Sequence, residues 1–285
     1  MQLQTITTPR GTFAYRSQGL PDPSPLVLLH GWPESSFCWE GVVAELPQSW
    51  SILAPDLRGL GDSERTPEVA AYDKLALAKD MIALLDELGI EQFRLVGHDW
   101  GGAVAQEMVR LIPERISRLG LINISIIFNL KGNLLANQVL SQMGFYPYWY
   151  QYIQQQKGLF EGLVEGRERL WLEYFLRRGD GGPLPEASLA EYTRYFQLPG
   201  TLTASANYYR SFRADRKRWA TYGDYRCPVP THYLYGNQDR IIIPEFLQHA
   251  EECFDEFHLH EIGTGHFVME EQPAEVARFL EKGFD

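Results

Sequence analysis

The sequence contains few cysteines and has no apolar run long enough to cross a membrane. Only three cysteines occur in 285 residues, at Cys38, Cys227 and Cys253. Their wide spacing fits neither a disulfide framework nor a metal site, so we expect a reducing compartment, with the cytoplasm as the default location. The first residues alternate in polarity instead of forming a basic segment and an apolar core, which argues against a secretion signal.

Positive charge is also scarce. The chain has 26 lysines and arginines against 37 acidic residues, which gives a formal charge of −11. Because such a charge repels phosphate backbones and anionic lipids, we expect neither nucleic acid nor a membrane as a partner. The main basic cluster lies within residues 210–218 on a predicted helix, where a solvated face is the expected explanation.

What the chain does have is enough length and apolar content for one large α/β core with an inserted subdomain. It has 285 residues, of which 45% are hydrophobic. Alternating residues predict a hairpin at the N-terminus, and short apolar runs separated by helical periodicity predict a parallel sheet flanked by helices. The predicted strands cover residues 3–7, 12–17, 26–29, 51–54, 93–96, 119–122, 231–235 and 257–261.

Residues 128–224 break this alternation. They are rich in aromatic residues and helix formers and contain no convincing strand. We therefore predict a core domain made of residues 1–127 and 225–285, with residues 128–224 inserted as a helical cap. Within the second part of the core, we predict helices that begin at Pro244 and Pro273.

The most informative motif surrounds Asp99, where an apolar strand run ends in Gly-His-Asp-Trp-Gly. Gly97 and Gly101 allow a strand to turn sharply into a helix, which pushes the Asp99 side chain out of the sheet towards a cavity. A serine at this position would indicate acyl transfer. A carboxylate can instead displace a leaving group from a saturated carbon, and a second step must then hydrolyse the resulting ester.

Two further strand ends supply partners for this nucleophile. Residues 231–235 lead into Asp239, and residues 257–261 lead into His266. Because ligand sites of open parallel sheets lie at the carboxyl ends of the strands, we expect Asp99, Asp239 and His266 to meet there. Asn123 occupies a competing position for the acid but offers no carboxylate. The backbone N–H groups of Trp32 and Trp100 are candidate donors for an oxyanion hole.

Three motifs together carry a resemblance to a known family. They are His-Gly-Trp-Pro at residues 30–33, Asp-Leu-Arg-Gly-Leu-Gly-Asp-Ser at residues 56–63 and Gly-His-Asp-Trp-Gly at residues 97–101. They resemble the epoxide hydrolase and haloalkane dehalogenase branch of the α/β-hydrolase superfamily, over nearly the whole chain. The resemblance implies the α/β-hydrolase fold and an aspartate nucleophile. We expect the neighbouring His30, His98, Arg58 and Asp62 to have structural roles.

Two segments of the predicted cap resemble the lid tyrosine motifs of epoxide hydrolases. The first combines residues 149–152 with residues 158–161, and the second covers residues 206–210. The resemblance implies that Tyr150 and Tyr209 donate hydrogen bonds to the epoxide oxygen, with Tyr148 and Tyr152 as alternatives to Tyr150. A cap tyrosine without such a motif is more often a packing residue.

The sequence therefore predicts an epoxide hydrolase that uses water and a small hydrophobic epoxide, with no metal and no other cofactor. Trp32, Trp100 and Phe267 are expected to line the substrate pocket. Two alternatives stay open. A haloalkane dehalogenase would use the Trp100 indole to bind the departing halide, and a binding protein of the same fold would hold a small ligand without turning it over. Formation of a homodimer is also left open.

Overall fold

The computed structural model describes residues 1–284, in which eight strands form a single sheet. The strands are β1 (Gln2–Thr8), β2 (Gly11–Gln18), β3 (Leu26–Leu29), β4 (Ile52–Pro55), β5 (Phe93–His98), β6 (Ile116–Ile122), β7 (Thr231–Gly236) and β8 (Phe257–Ile262). Their order across the sheet is β1-β2-β4-β3-β5-β6-β7-β8. Strand β2 pairs antiparallel with β1 and β4, and all other neighbours are parallel. The predicted mostly parallel sheet is confirmed.

Twelve α-helices are present in residues 1–284. They are α1 (Glu40–Glu45), α2 (Lys74–Glu87), α3 (Trp100–Leu111), α4 (Leu130–Gln142), α5 (Trp149–Gln155), α6 (Leu159–Val164), α7 (Glu168–Phe175), α8 (Glu186–Phe196), α9 (Thr201–Arg210), α10 (Phe212–Trp219), α11 (Val268–Glu271) and α12 (Pro273–Phe284). Short 3-10 helices cover Ser36–Trp39, Val69–Tyr72, Pro113–Arg115, Tyr146–Tyr148, Pro244–Leu247 and Ala250–Cys253. In the part of the chain described, no helix combines the length and the apolar character needed to cross a bilayer.

The central strands are buried because helices cover the sheet. Every residue of β3 and β4 is buried, which explains why these runs are continuously apolar instead of alternating. Helix α2 packs against α3, and α1 packs against α12. Helix α12 buries one apolar stripe, which includes Val276, Leu280 and Phe284.

Between β6 and β7 the chain forms the seven helices α4–α10. We call residues 128–224 the cap segment; its boundaries as a separate domain stay a prediction. Apolar residues of this segment, such as Tyr150, Tyr195 and Tyr209, belong to the same hydrophobic cluster as the sheet. The segment therefore packs directly on the core, and its helices α5 and α9 bring tyrosines close to the end of β5.

The prediction of a helix that begins at Pro244 is wrong. The structure has two 3-10 turns there instead, Pro244–Leu247 and Ala250–Cys253. The backbone between them leaves helical geometry, because Gln248 is extended and His249 has a φ of 65°. A residue in the left-handed region ends a right-handed helix, so a proline at the predicted start was not sufficient evidence for a helix here.

Candidate active site

Asp99 lies at the junction between β5 and α3 in a strained conformation. Its φ is 47° and its ψ is −127°, a region that costs roughly 1–3 kcal/mol for a residue other than glycine. A Cβ atom at Gly97 would lie 2.4 Å from the carbonyl oxygen of Gly101, and one at Gly101 would lie 2.3 Å from that of His30. Both glycines are needed because the strand and helix backbones approach so closely. This turn presents the Asp99 carboxylate at the carboxyl end of the sheet.

The structure brings Asp99, His266 and Asp239 together. His266 Nε2 lies 3.5 Å from Asp99 Oδ2, and His266 Nδ1 lies 2.7 Å from Asp239 Oδ2. The other carboxylate oxygen of Asp239 accepts hydrogen bonds from the backbone N–H groups of Ile241 and Ile242, at 2.7 Å and 3.2 Å. These contacts fix the Asp239 carboxyl group, which in turn orients the imidazole ring towards Asp99.

Charge coupling shifts the pKa values of this group. Burial acts to lower the pKa of His266, but the charges and hydrogen bonds of Asp239 and Asp99 outweigh it, so the pKa lies well above its ordinary value. Burial acts to raise the pKa of Asp99, yet His266 outweighs it, and the pKa of Asp99 is lowered. The resting site thus favours an imidazolium paired with an ionised carboxylate.

Of the two candidate oxyanion donors, Trp32 contacts the nucleophile in this structure. Its backbone N–H donates to Asp99 Oδ1 at 2.8 Å. Among the described residues, no hydrogen bond joins the Trp100 backbone N–H to that carboxylate, although Trp100 is the first residue of α3. The Trp32 indole donates separately to Ser205 Oγ at 2.6 Å. The Trp32 amide is therefore already in place for a charge that develops on the Asp99 carboxyl group.

Tyr150 on α5 and Tyr209 on α9 lie beside each other near Asp99. Their rings are buried, with centroids 5.6 Å apart and an interplanar angle of 86°. Burial raises the pKa of both phenols, so both are protonated at neutral pH. The alternatives differ: the Tyr148 hydroxyl donates to the carbonyl oxygen of Ile241 at 2.5 Å, and Tyr152 is 55% exposed.

Two cavities, of about 370 and 700 Å³, share Asp99, Tyr150 and Tyr209 in their walls. Apolar side chains dominate the rest of the lining. The smaller cavity is lined by Trp100, Ile124, Ile127, Phe212, Trp219 and Phe246 among others, and the larger one by Trp32, Phe175, Ile243, His266 and Phe267 among others. Such walls suit an apolar ligand whose reacting atoms lie at the shared residues.

Asn123 is a site residue whose role was not predicted from the sequence, where it was noted only because it offers no carboxylate at a competing position for the acid. Its Nδ2 donates to the carbonyl oxygens of Gly265 and His266, at 2.9 Å and 3.1 Å, and its Oδ1 accepts from the backbone N–H of Gly236 at 2.9 Å. Asn123 thus fixes the loop that carries His266 relative to β7. Its place at the end of β6, level with the other site loops, was the available signal.

The two motif histidines hold loops. His30 Nε2 accepts from the backbone N–H of Leu57 at 2.9 Å. His98 is fully buried, with Nε2 2.9 Å from the carbonyl oxygen of His266 and Nδ1 3.0 Å from Glu34 Oε2. These two contacts join the end of β5 to Glu34 and to the backbone of His266, so this ring supports the His266 loop.

Arg58 and Asp62 also make structural contacts. Arg58 Nε lies 2.7 Å from Asp80 Oδ2 in a buried ion pair. Asp62 pairs with Arg194 of α8 at 2.7 Å, across the boundary between the core and the cap segment. Neither residue lines the two cavities.

The chain is similar to several proteins that are named epoxide hydrolases. The chain is 32% identical over 261 residues to the soluble epoxide hydrolase of Corynebacterium sp. (strain C12), covering 87% of this chain and 86% of that protein. It is 27% identical to the solved structure of the epoxide hydrolase CorEH, with a TM-score of 0.79, covering 99% of this chain and 98% of that one. The bifunctional epoxide hydrolase 2 of Sus scrofa is 26% identical over 283 residues, which cover 89% of this chain but only 50% of that protein.

The fold, the site and these relatives define the class of protein: it is a hydrolase. The family model described as "alpha/beta hydrolase fold" matches residues 24–273. The chain belongs to the alpha/beta hydrolase fold family.

Proposed function

We propose that this protein is an epoxide hydrolase that opens a hydrophobic epoxide to a vicinal diol through an ester on Asp99. The observation that carries the proposal is the pair of buried, protonated phenols, Tyr150 and Tyr209, in the walls of the same cavities as Asp99. An opening epoxide develops alkoxide charge and needs proton donors, whereas a departing halide does not. The names of the relatives support the same activity.

In the first half-reaction, one Asp99 carboxylate oxygen attacks a ring carbon and forms a C–O ester bond. The ring C–O bond breaks, and its electron pair stays on the epoxide oxygen. Tyr150 and Tyr209 hydrogen-bond that oxygen, and one phenol transfers its proton as the alkoxide charge grows. The product of this step is a hydroxyalkyl ester of Asp99.

Ester formation also prepares the second half-reaction. In the resting site, Asp99 is one of two carboxylates that raise the pKa of His266. Once Asp99 is esterified its charge is gone, so the pKa of His266 falls. The imidazolium then returns a proton to the tyrosinate left by ring opening, and the neutral imidazole can accept a proton from water. The hydroxide adds to the ester carbonyl carbon, and the Trp32 amide stabilises the oxyanion. Collapse of this intermediate breaks the ester C–O bond, and the leaving oxygen takes the proton from His266 to release the diol. The carboxyl group of Asp99 then passes its proton to His266, which restores the carboxylate and the imidazolium.

A His266→Gln variant tests the proposal, because it should form the ester but not hydrolyse it. After incubation with styrene oxide, the peptide that contains Asp99 should gain the mass of one substrate, and the wild-type protein should release the diol. In ¹⁸O water, repeated turnover by the wild-type protein should introduce the heavy isotope into the Asp99 carboxylate. Wild-type turnover without label in that carboxylate would contradict the ester route.

One observation favours haloalkane dehalogenation as a second candidate. The buried Trp100 indole Nε1 has no hydrogen-bond partner among the described residues, and Trp100 lines the smaller cavity beside Asp99. An indole N–H of this kind suits a halide leaving from the attacked carbon. Halide release from brominated alkanes, measured against diol formation from styrene oxide, separates the two candidates.

A further inference from the structure

A fully buried lysine lies behind the site, although two physical effects make a positive charge unfavourable there. Lys74 is the first residue of α2, and its side chain is completely buried. Burial removes the hydration of an ammonium group, and the N-terminus of a helix carries a partial positive charge. An apolar side chain of similar volume would fill the same space without either cost. A buried charge at this position therefore suggests that the charge acts on a neighbouring group.

The ammonium group contacts both the cap segment and a residue of the site. Lys74 Nζ lies 3.1 Å from Asp215 Oδ2 of α10 and donates to the carbonyl oxygen of Tyr208 in α9 at 2.7 Å. It also lies 4.0 Å from the centroid of the Trp100 indole ring. Asp215 has a second cation, because it forms an ion pair with Arg218 as well. The buried charges are thus compensated, and the remaining face of the ammonium rests on Trp100.

Trp100 connects this cation to one of the two phenols. Its ring lies edge-to-face against Tyr209, with centroids 5.7 Å apart and an interplanar angle of 68°. The side chain is 7% exposed, and its indole N–H has no partner with hydrogen-bond geometry among residues 1–284. Burial raises the pKa of Tyr209, while the nearby Trp100 N–H acts in the opposite direction. A hydrogen bond from the indole to the phenol oxygen would satisfy this buried N–H.

We propose that Lys74 is a positioning residue that acts through Trp100 to make Tyr209 a stronger proton donor during ring opening. A cation on the face of an indole draws electron density from the ring and makes its N–H more polar. That N–H, donated to the Tyr209 oxygen, makes the phenol O–H a stronger donor in turn, because hydrogen bonds in series polarise one another in a low dielectric. The bond from Lys74 to the carbonyl of Tyr208 also fixes the residue before Tyr209. This inference rests on the proposed epoxide hydrolysis.

The test replaces the buried ion pair as a unit. A Lys74→Met/Asp215→Asn variant removes both charges with little change in volume, and Arg218 keeps Asp73 and Glu107 as partners. Single-turnover mixing with styrene oxide, followed by peptide mass, gives the rate of ester formation and the rate of ester decay. We expect ester formation to slow by about tenfold, which is less than the roughly 10²- to 10⁴-fold effect of losing a proton donor altogether. Ester decay should stay within about twofold, because Tyr209 does not act on the ester carbonyl.

A second background separates this role from a general loss of structure. The same pair of substitutions is introduced into a Tyr209→Phe protein, where no phenol remains for Trp100 to act on. There the two proteins should form the ester at equal rates. An equal loss in both backgrounds would overturn the inference, and so would a folded double variant that forms the ester at the wild-type rate. If the wild-type protein forms neither ester nor diol, the proposed function itself fails.

Two further measurements do not require that double variant to fold. A Lys74→Gln protein keeps a hydrogen-bonding side chain but removes the charge, and it should show the same loss. In ¹⁵N-labelled wild-type protein, the Trp100 indole N–H resonance, identified by its absence in Trp100→Phe, should shift upfield in Tyr209→Phe. An unchanged resonance would show that the indole does not donate to Tyr209, which also overturns the inference.

Discussion

The indole of Trp32 lies nearly parallel to the phenol ring of Tyr150, with centroids 5.6 Å apart and an interplanar angle of 13°. The backbone N–H of Trp32 contacts Asp99, and its indole N–H contacts Ser205 on α9. One residue of the loop after β3 therefore positions the nucleophile through its backbone and the two tyrosine helices through its side chain. A substitution of the side chain leaves the backbone N–H in place, so the two roles can be measured separately.

We expect Trp32→Leu to slow ester formation more than ester hydrolysis. The substitution removes the stack on Tyr150 and the bond to Ser205, and the loss of a buried tryptophan ring should cost up to about 3 kcal/mol of stability. Single-turnover rates and the midpoint of thermal unfolding measure both effects. Ser205→Ala is the matched control: it removes only the hydrogen bond, worth about 1 kcal/mol, and should leave both rates nearly unchanged. Equal slowing of both steps in Trp32→Leu would contradict the separation.

Asp239→Asn should trap the ester. The amide no longer stabilises the imidazolium, so the pKa of His266 falls towards its ordinary value. The Ile241 and Ile242 N–H groups hold the amide oxygen, so the amide NH2 faces His266 Nδ1 and selects the tautomer whose Nε2 cannot accept a proton from water. Hydrolysis of the ester should slow by about 10³- to 10⁴-fold, while its formation continues, as in other sites where an acid orients a histidine. The decay of the labelled Asp99 peptide measures this rate. Asp62→Asn, which removes only a partly exposed pair with Arg194, should hydrolyse the ester normally.

The sharp turn at Asp99 and the strand-end positions of Asp239 and His266 could be predicted from local sequence. The glycine spacing predicts the turn, and the order of the apolar runs predicts which residues follow the strands. The buried pair of Lys74 and Asp215 could not be predicted in this way. From sequence alone, a lysine at the start of an amphipathic helix and an aspartate inside a basic run are expected to be solvated. Only the packing of the cap segment on α2 buries them. Ser205 was missed for the same reason, since its partner Trp32 lies in a distant loop.

Phenylalanine substitutions at the three neighbouring tyrosines should separate their roles. Tyr150→Phe should slow ester formation by about 10²-fold, because one of two proton donors is lost. Tyr148→Phe should mainly lower stability, by about 1 kcal/mol, because the bond to Ile241 is lost. Tyr152→Phe, at an exposed position, should change neither. Ester formation and thermal unfolding are measured for each, and a large kinetic loss in Tyr148→Phe alone would transfer the donor role to that residue.

Glu270 predicts a pH dependence of stability at the boundary between the core and the cap segment. Its carboxyl group accepts hydrogen bonds from Tyr192 and Ser188 of α8. Burial, assisted by the charge of Glu34, raises the pKa of Glu270 to about 7. Because the folded state holds this proton more tightly than the unfolded state, the contribution of Glu270 is fully present below its ordinary pKa and is lost as the pH rises through about 7.

We therefore expect the unfolding temperature of the wild-type protein to fall between pH 5.5 and pH 8.5 relative to that of Glu270→Gln. The glutamine amide stays neutral across this range and keeps an acceptor for the α8 hydroxyls, so the contribution that the wild-type protein loses is not lost in the variant. Thermal unfolding followed by circular dichroism at both pH values measures the difference. Glu275→Gln, at a partly exposed position on α12, should show the same change of unfolding temperature with pH as the wild-type protein. If Glu270→Gln also shows the same change, the carboxyl group is already ionised in the folded protein, and the bonds to α8 are made by a charged group.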